Sequence, residues 1–145
     1  MLVFLVICLI TRYYLQRYGT EDDLINFWLR HGLITDAFKY ILNADVEDRL
    51  FIIAVKHCLA CGMIKEMKII LYSVDESLTR WTKYIVATCK WLRSNQMYDI
   101  LLDLQVFSGD YARAGSTCVK LFSLTTSYEE RIRYMTLAEE FFSRA

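Results

Sequence analysis

Proline is absent from all 145 residues, where average usage of about 5% would supply roughly seven. Proline interrupts helices by removing an N–H and clashing with the preceding turn. Its absence, beside only five glycines, fits helices joined by very short turns. Net charge is missing too, since 17 basic residues offset 17 acidic ones. The total therefore supplies no broad cationic field of the kind that non-specific nucleic-acid binding needs. A long hydrophobic run is also lacking. The start, "MLVFLVICLI", holds nine apolar residues after Met1, short of the ~20 that span a bilayer. It has neither a basic n-region nor a small-residue cleavage site, which argues against a secretory signal.

What is there is apolar and aromatic. Hydrophobic residues make up 55% and charged residues 23%, with ten Tyr, eight Phe and three Trp. A chain of this length and composition is one domain's worth and can bury a real core. Cys8, Cys58, Cys61, Cys89 and Cys118 form an odd set scattered inside apolar helical patterns. That usage points to reduced thiols in a cytoplasmic protein, not to a disulfide framework.

Helix punctuation recurs along the chain. Leu2 to Tyr18 forms one helix closed by Gly19, its apolar surface suited to a helix outside this chain. Thr20 opens "TEDD", a capping box for a second helix, Glu21 to His31, with Leu24, Phe27, Trp28 and His31 on one face and Gly32 behind it. Thr35 and Asp36 open a third, with Phe38, Ile41 and Leu42 inward. Asp45 caps a fourth that runs to Gly62, and "MIKEMKIILYSV" is the fifth, with Met63, Met67, Ile70 and Leu71 in register. The sixth begins near Leu78, places Trp81, Ile85, Thr88 and Leu92 on one side, and stops around Asn95.

The seventh carries two stripes, Met97, Ile100, Leu101, Leu104 and Phe107 on one side and Tyr98, Leu102 and Val106 on another. Gly109 ends it in a left-handed turn and Asp110 caps the eighth. In the eighth, Ala112, Ala114, Gly115, Ser116, Thr117 and Cys118 replace the usual bulk and predict close approach of another helix, with Arg113 and Lys120 on the wet face. Ser127 or Thr126 starts the ninth, with Tyr128, Ile132, Met135 and Phe142 inward. No segment alternates long enough for a strand. Paired after the first, the helices make roughly four helix–turn–helix units, and apolar residues on more than one side are what a stacked array needs. The expected fold is an all-α solenoid of stacked antiparallel helix pairs, about nine helices. It spans 1–145 as one segment of a larger array, with 1–18 an atypical apolar start, and implies an elongated shape.

Candidate chemistry is sparse. "HCLAC" sets Cys58 and Cys61 at C-x-x-C spacing beside His57. A zinc site needs four ligands, and no second pair exists. Both cysteines fall in a helix's last turns, not at the helix start that a thioredoxin-like site uses. His57 and Cys58 are adjacent on a helix and do not face each other. A compact ligand-, metal- or redox-sensitive domain built on Cys58 and Cys61 is the alternative to a scaffold. The other histidine, His31, reads as a satisfied helix-end residue. There is no G-x-S-x-G, phosphate loop, H-E-x-x-H or E-x-x-H pair. No catalytic, cofactor-binding or metal-ligating residue is assigned, and the expectation is no enzyme and no cofactor. Arg80, Lys83, Lys90 and Arg93 make a basic row that could meet phosphate or anionic lipid, though Asp99, Asp103 and Asp110 on the next segments could offset it. Trp28 and Trp81 belong to inner faces, and Trp91 lies off its helix's main stripe.

"YLQRYGTEDDLINFWLRHG" followed by "SLTRWTKYIVATCKWLRSNQMYDILLDLQVFSGDYARAGSTCVKLF" resembles the C-terminal helical region of the spastizin family. These are large FYVE-zinc-finger proteins, also called FYVE-CENT. The likeness covers roughly Tyr13 to Phe122 and is densest from Trp81 onward. It implies an α-solenoid interaction scaffold that works with spatacsin and the AP-5 adaptor at late endosomes and lysosomes. The roles implied are lysosome reformation, autophagy and cytokinesis at the midbody or centrosome. The FYVE finger's "RHHCR"-type motif and its row of CxxC pairs are absent from this chain. Phosphatidylinositol 3-phosphate binding is therefore carried onto no residue, and membrane association would be indirect. The apolar start does not resemble the family, and a fragment or truncated product is expected.

Overall fold

The structure, a computed structural model, describes the backbone of residues 2–145 and, within the first helix, all side chains except those of residues 4, 7, 8, 15, 16 and 18. Among the described residues there are nine α-helices and no strand. They are α1 (Leu2–Tyr18), α2 (Glu21–Arg30), α3 (Ile34–Ala44), α4 (Asp48–Ala60), α5 (Ile64–Val74), α6 (Thr82–Ser94), α7 (Tyr98–Phe107), α8 (Tyr111–Leu124) and α9 (Tyr128–Arg144), with a single 3-10 turn at Thr79–Trp81. The chain divides into two compact units, Met1–Tyr84 and Ile85–Ala145.

One turn type recurs and organises the fold. After α2, the amide of Gly32 bonds Leu29 O and the amide of Leu33 bonds Trp28 O. This pair of bonds around a left-handed residue is the Schellman motif, which satisfies carbonyls left open at a helix end. The same two bonds close α4 at Gly62 and Met63, α6 at Gln96 and Met97, and α7 at Gly109 and Asp110. The four left-handed residues have φ between 58° and 77°. In each case the residue after the left-handed one is also the N-cap of the next helix. The chain turns within a few residues, and α2 with α3, α4 with α5, and α7 with α8 lie side by side. Thirty residues separate Gly32 from Gly62 and 34 separate Gly62 from Gln96, a repeat length in the solenoid range.

The turns also set the register of burial. Four residues before the left-handed position stand Trp28, Cys58, Leu92 and Gln105, and five after it stand Ala37, Met67, Leu101 and Ala114. All eight are buried. Side chain size varies at these positions, but their place in the repeat does not. That variation is why the repeats resist alignment by residue type.

In the first unit α2 packs on α3 and α4, and α3 on α4 and α5. Contact with both the next helix and the next but one is what stacked helix pairs produce. Its core holds Phe38, Phe51, Trp81 and Tyr84, with ring centroids 5.2 to 6.4 Å apart. The Trp81 indole donates to Leu71 O at 2.9 Å. The Tyr84 hydroxyl lies 3.0 Å from Val46 O and 3.2 Å from Ile41 O, sharing its proton between them. Buried Trp and Tyr need such partners. The capping box on α2 forms as expected, Thr20 Oγ1 accepting from the Asp23 amide and Asp23 accepting from the Thr20 amide.

In the second unit α7 packs on α8, and α8 on α9. The two-sided character of α7 is present: Leu101 and Leu104 are buried, while Leu102 and Val106 pack against a cluster of Ala114, Cys118, Ala138 and Phe141.

Several local expectations give way. Helix α3 begins at Ile34, before Thr35 and Asp36, because the preceding turn makes Leu33 its N-cap. Asp45 does not cap α4. It ends α3 in a left-handed conformation at φ 48°, and its carboxylate accepts from Lys83 Nζ at 2.8 Å. His31 follows the last turn of α2 and is exposed, its ring 4.6 Å from that of Phe27. In α9 most of the expected inner row is outside: Tyr128, Ile132 and Met135 are 47 to 76% exposed, Phe142 is half-covered with its ring over Gly115 of α8, and Tyr134, Ala138 and Phe141 are buried. Both stripes have helical spacing. Ala138 and the α8 side chains Ala114 and Cys118 are small, and that fit selects the inward phase.

Candidate interaction surfaces

The cysteine pair does not make a site. Cys58 is fully buried at the repeat position held elsewhere by Trp28, Leu92 and Gln105, whereas Cys61 sits past the helix end and is exposed. Burial pushes the Cys58 thiol up to about 11, with Cys61 and Glu66 adding to the rise. Cys89 is pushed up to about 11 as well, by burial and then by Asp110, and burial raises Cys118. Thiols shifted upward are poor nucleophiles and poor ligands at neutral pH. His57 Nε2 approaches Cys61 Sγ at 3.7 Å. Among the described residues no three His, Cys, Asp or Glu side chains converge as a metal site. The Cys8 side chain lies outside the described residues.

Helix α8 divides its small residues between two tasks. Ala114, Gly115 and Cys118 face α9, and a Cβ built on Gly115 would come within 2.7 Å of the Phe142 ring. Ser116 and Thr117 lie on another face, and Ala112 and Ser116 are exposed. The expectation that all six small residues form one packing seam is therefore corrected. Residues one turn apart on a helix share a face, and here the stripe Arg113, Ser116, Thr117, Lys120 lines a cleft of about 320 Å³. Arg93 from α6 and Tyr98 and Leu101 from α7 complete it.

The charges in this cleft are unevenly met. Asp110 caps α8 by accepting from the Arg113 amide, and its second oxygen accepts from Arg113 Nη1 at 3.2 Å. Lys120 Nζ lies 5.9 Å from the Tyr98 ring centroid. Neither Arg93 nor Lys120 has an ion pair among the described residues. The Thr117 hydroxyl donates to Gln105 Oε1 at 2.6 Å, and the Gln105 Nε2, also buried, has no partner. Of the basic row read from the sequence, Lys83 is met by Asp45 and Arg93 turns into this cleft. The spacing of Arg113 and Lys120 was visible in sequence. Arg93 and Tyr98 joining them required the turn at Gln96.

Two helices leave apolar faces uncovered. On α1, Leu2, Val3, Leu5, Val6, Leu9 and Ile10 are 46 to 75% exposed. On α9 the exposed row is Tyr128, Ile132 and Met135. Isolated exposed apolar residues are ordinary, but rows along one helix mark interaction surfaces. Among the described residues, no helix is long and apolar enough to cross a membrane. Trp28 and Trp81 are buried and Trp91 half-buried.

These features define an all-α helical-repeat segment whose surface offers exposed apolar rows and a basic cleft. The chain is homologous to a segment of zinc finger FYVE domain-containing protein 26, or spastizin. It is 33% identical to the Homo sapiens protein over 112 residues, 77% of this chain, and 32% identical to the Bos taurus protein over the same length. A Dictyostelium discoideum protein is 33% identical over 112 residues, 76% of this chain. The chain spans about 4% of the length of these curated relatives. No family model and no solved structure matches it.

Proposed function

We propose that this chain is a non-enzymatic scaffold segment that binds other proteins through its helix faces. The observation that supports it most is the uncovered apolar row on α9, Tyr128, Ile132 and Met135. A helix-repeat surface binds by adding contacts over successive units, and such a row is the apolar centre that a protein interface needs. By its likeness to spastizin, the segment acts in endosome and lysosome trafficking, autophagic lysosome reformation and cytokinesis. Its partners on this reading are spatacsin and AP-5-type adaptors, and its place is peripheral to late endosomes and lysosomes, with the centrosome or midbody as a second location. Membrane association is indirect.

The test is co-precipitation of spatacsin with the tagged chain from cells. Wild type should capture it, and Ile132→Glu with Met135→Glu should lose most of the capture while keeping the helical circular dichroism spectrum. Absence of capture by the wild-type chain sinks the named partner, and equal capture by the double variant sinks the α9 surface.

A further inference from the structure

The cleft between α6, α7 and α8 has chemistry that the apolar rows do not explain. Three cations line it, Arg93, Arg113 and Lys120, and one carboxylate, Asp110, is bonded to one of them. The local balance is about two positive charges in excess. Such an excess on a chain of zero net charge is a local arrangement and does not reflect a general basic character. Its origin is topological. The left-handed turn at Gln96 joins α6 to α7, and the turn at Gly109 folds α8 back on α7, so cations from α6 and α8 line one cleft around Tyr98 and Leu101.

We infer that this cleft binds the phosphorylated side chain of a serine or threonine in an extended segment of a partner protein. The charge fits, because a phosphoryl group carries about −1.5 to −2 at neutral pH. The donors fit as well. A guanidinium presents a fork of N–H groups to phosphate oxygens, and an ammonium adds a point charge. Arg93 and Lys120 are free to turn to a ligand, and Arg113 keeps N–H groups beyond the one spent on Asp110. The hydroxyls are already engaged, Ser116 donating to Ala112 O and Thr117 to Gln105, so they form wall and not ligand contacts. Tyr98 and Leu101 give the cleft an apolar side, where the side chain next to the phosphoryl group would rest. A volume of about 320 Å³ is at the lower end for ligand pockets, enough for a phosphoryl side chain and one neighbour. A free phosphate would leave the apolar side unused.

The inference rests on the reading of the chain as a protein-binding segment, and the experiment separates the two. The whole chain is titrated into fluorescein-labelled Gly-Leu-phosphoSer-Leu-Gly at low salt and followed by anisotropy. The unphosphorylated peptide, inorganic phosphate as competitor, a short poly-uridine RNA and phosphatidylserine–phosphatidylcholine vesicles are the other arms. The phosphorylated peptide should bind at least about 10-fold more tightly than its parent, and Arg93→Ala and Lys120→Ala should each weaken it by roughly 5- to 50-fold. Lys90→Ala, an exposed cation on the same helix as Arg93, should leave binding unchanged. Inorganic phosphate should compete only weakly. Equal binding of the two peptides overturns the proposal. So does equal loss on Lys90→Ala, tighter binding of RNA or vesicles than of the peptide, or full competition by phosphate alone. Peptide binding that fails while spatacsin capture persists removes the cleft and keeps the scaffold, and the converse removes the named partner and keeps the cleft.

Discussion

Gln96 occupies a position that glycine holds in the three equivalent turns, with φ 58° against 67° to 77° for Gly32, Gly62 and Gly109. A left-handed conformation costs a residue with a Cβ roughly 1–2 kcal/mol relative to glycine. Replacing Gln96 by Gly removes that strain but adds freedom to the unfolded chain, worth about 0.4–1 kcal/mol. The side chain is exposed. The expected net effect of Gln96→Gly is a gain of about 0.5–1 kcal/mol. The mirror experiment is Gly109→Ala in the same unit, where a Cβ meets nothing within 4 Å. Its cost is therefore conformational alone, about 1 kcal/mol. Urea denaturation followed by far-UV circular dichroism measures both. In thermal melts the shifts should be a few degrees in opposite directions, about 2–4 °C per kcal/mol for a chain of this size. A Gln96→Gly variant that is neutral or destabilised, with Gly109→Ala costing about 1 kcal/mol, would show that the turns are not equivalent and refute the repeat register.

The remaining expectations concern the second unit's packing, its buried polar pair, the thiols and the acid limb. Gly115→Leu should cost about 1–3 kcal/mol by overpacking against Phe142, and Phe142→Ala in the same chain should recover part of it, as measured by a double-mutant cycle. Thr117→Val strands the buried Gln105 oxygen and should cost about 1–3 kcal/mol, whereas Thr117→Val with Gln105→Leu should be near neutral in the same denaturation assay. Iodoacetamide near neutral pH, read by peptide mass spectrometry, should label Cys61 well before Cys58 and Cys118. Comparable rates would mean that Cys58 is not in the core. Asp75 accepts from the Arg80 amide and from the hydroxyl and amide of Ser77, and these bonds, the Arg80 one foremost and the Ser77 hydroxyl next, hold its carboxyl below its ordinary value. The folded state then binds that proton less readily than the unfolded one. Its contribution is full above the ordinary value of about 3.9 and is lost as pH falls through the depressed one. Asp75→Asn should flatten the acid limb of a stability-against-pH curve, and an unchanged limb counts against the loop geometry.

Much of the fold was legible in residue order. The bounds of α1 follow from a stretch without helix breakers, apolar to Ile10 and then mixed, closed by Gly19, and the capping box at Thr20 is visible as a polar residue three before an acid. Trp81, in the 3-10 turn before α6, and Ile85, Thr88 and Leu92 within it are all buried and were readable as one stripe from their helical spacing. In α9 two stripes compete, and helical spacing alone gives no means of choosing between them. The left-handed turn at Gln96 was not legible for a related reason: glycine announces such a conformation and glutamine does not. Asp45 looked like a start signal because its side chain is suited to capping, yet it stops α3.

The sequence by itself determined that the chain is helical throughout, where most helices begin and end, and that it resembles a segment of spastizin. Those properties are local: periodicity, capping chemistry and glycine placement act over a few residues. Which stripe of α9 is buried, which small residues of α8 touch a helix and which line a cleft, and that Arg93 joins Arg113 and Lys120 were decided by tertiary structure. Each depends on the angle at which one helix meets another across a left-handed turn, and that angle is set by the fit of whole faces, small side chains admitting close approach and large ones preventing it.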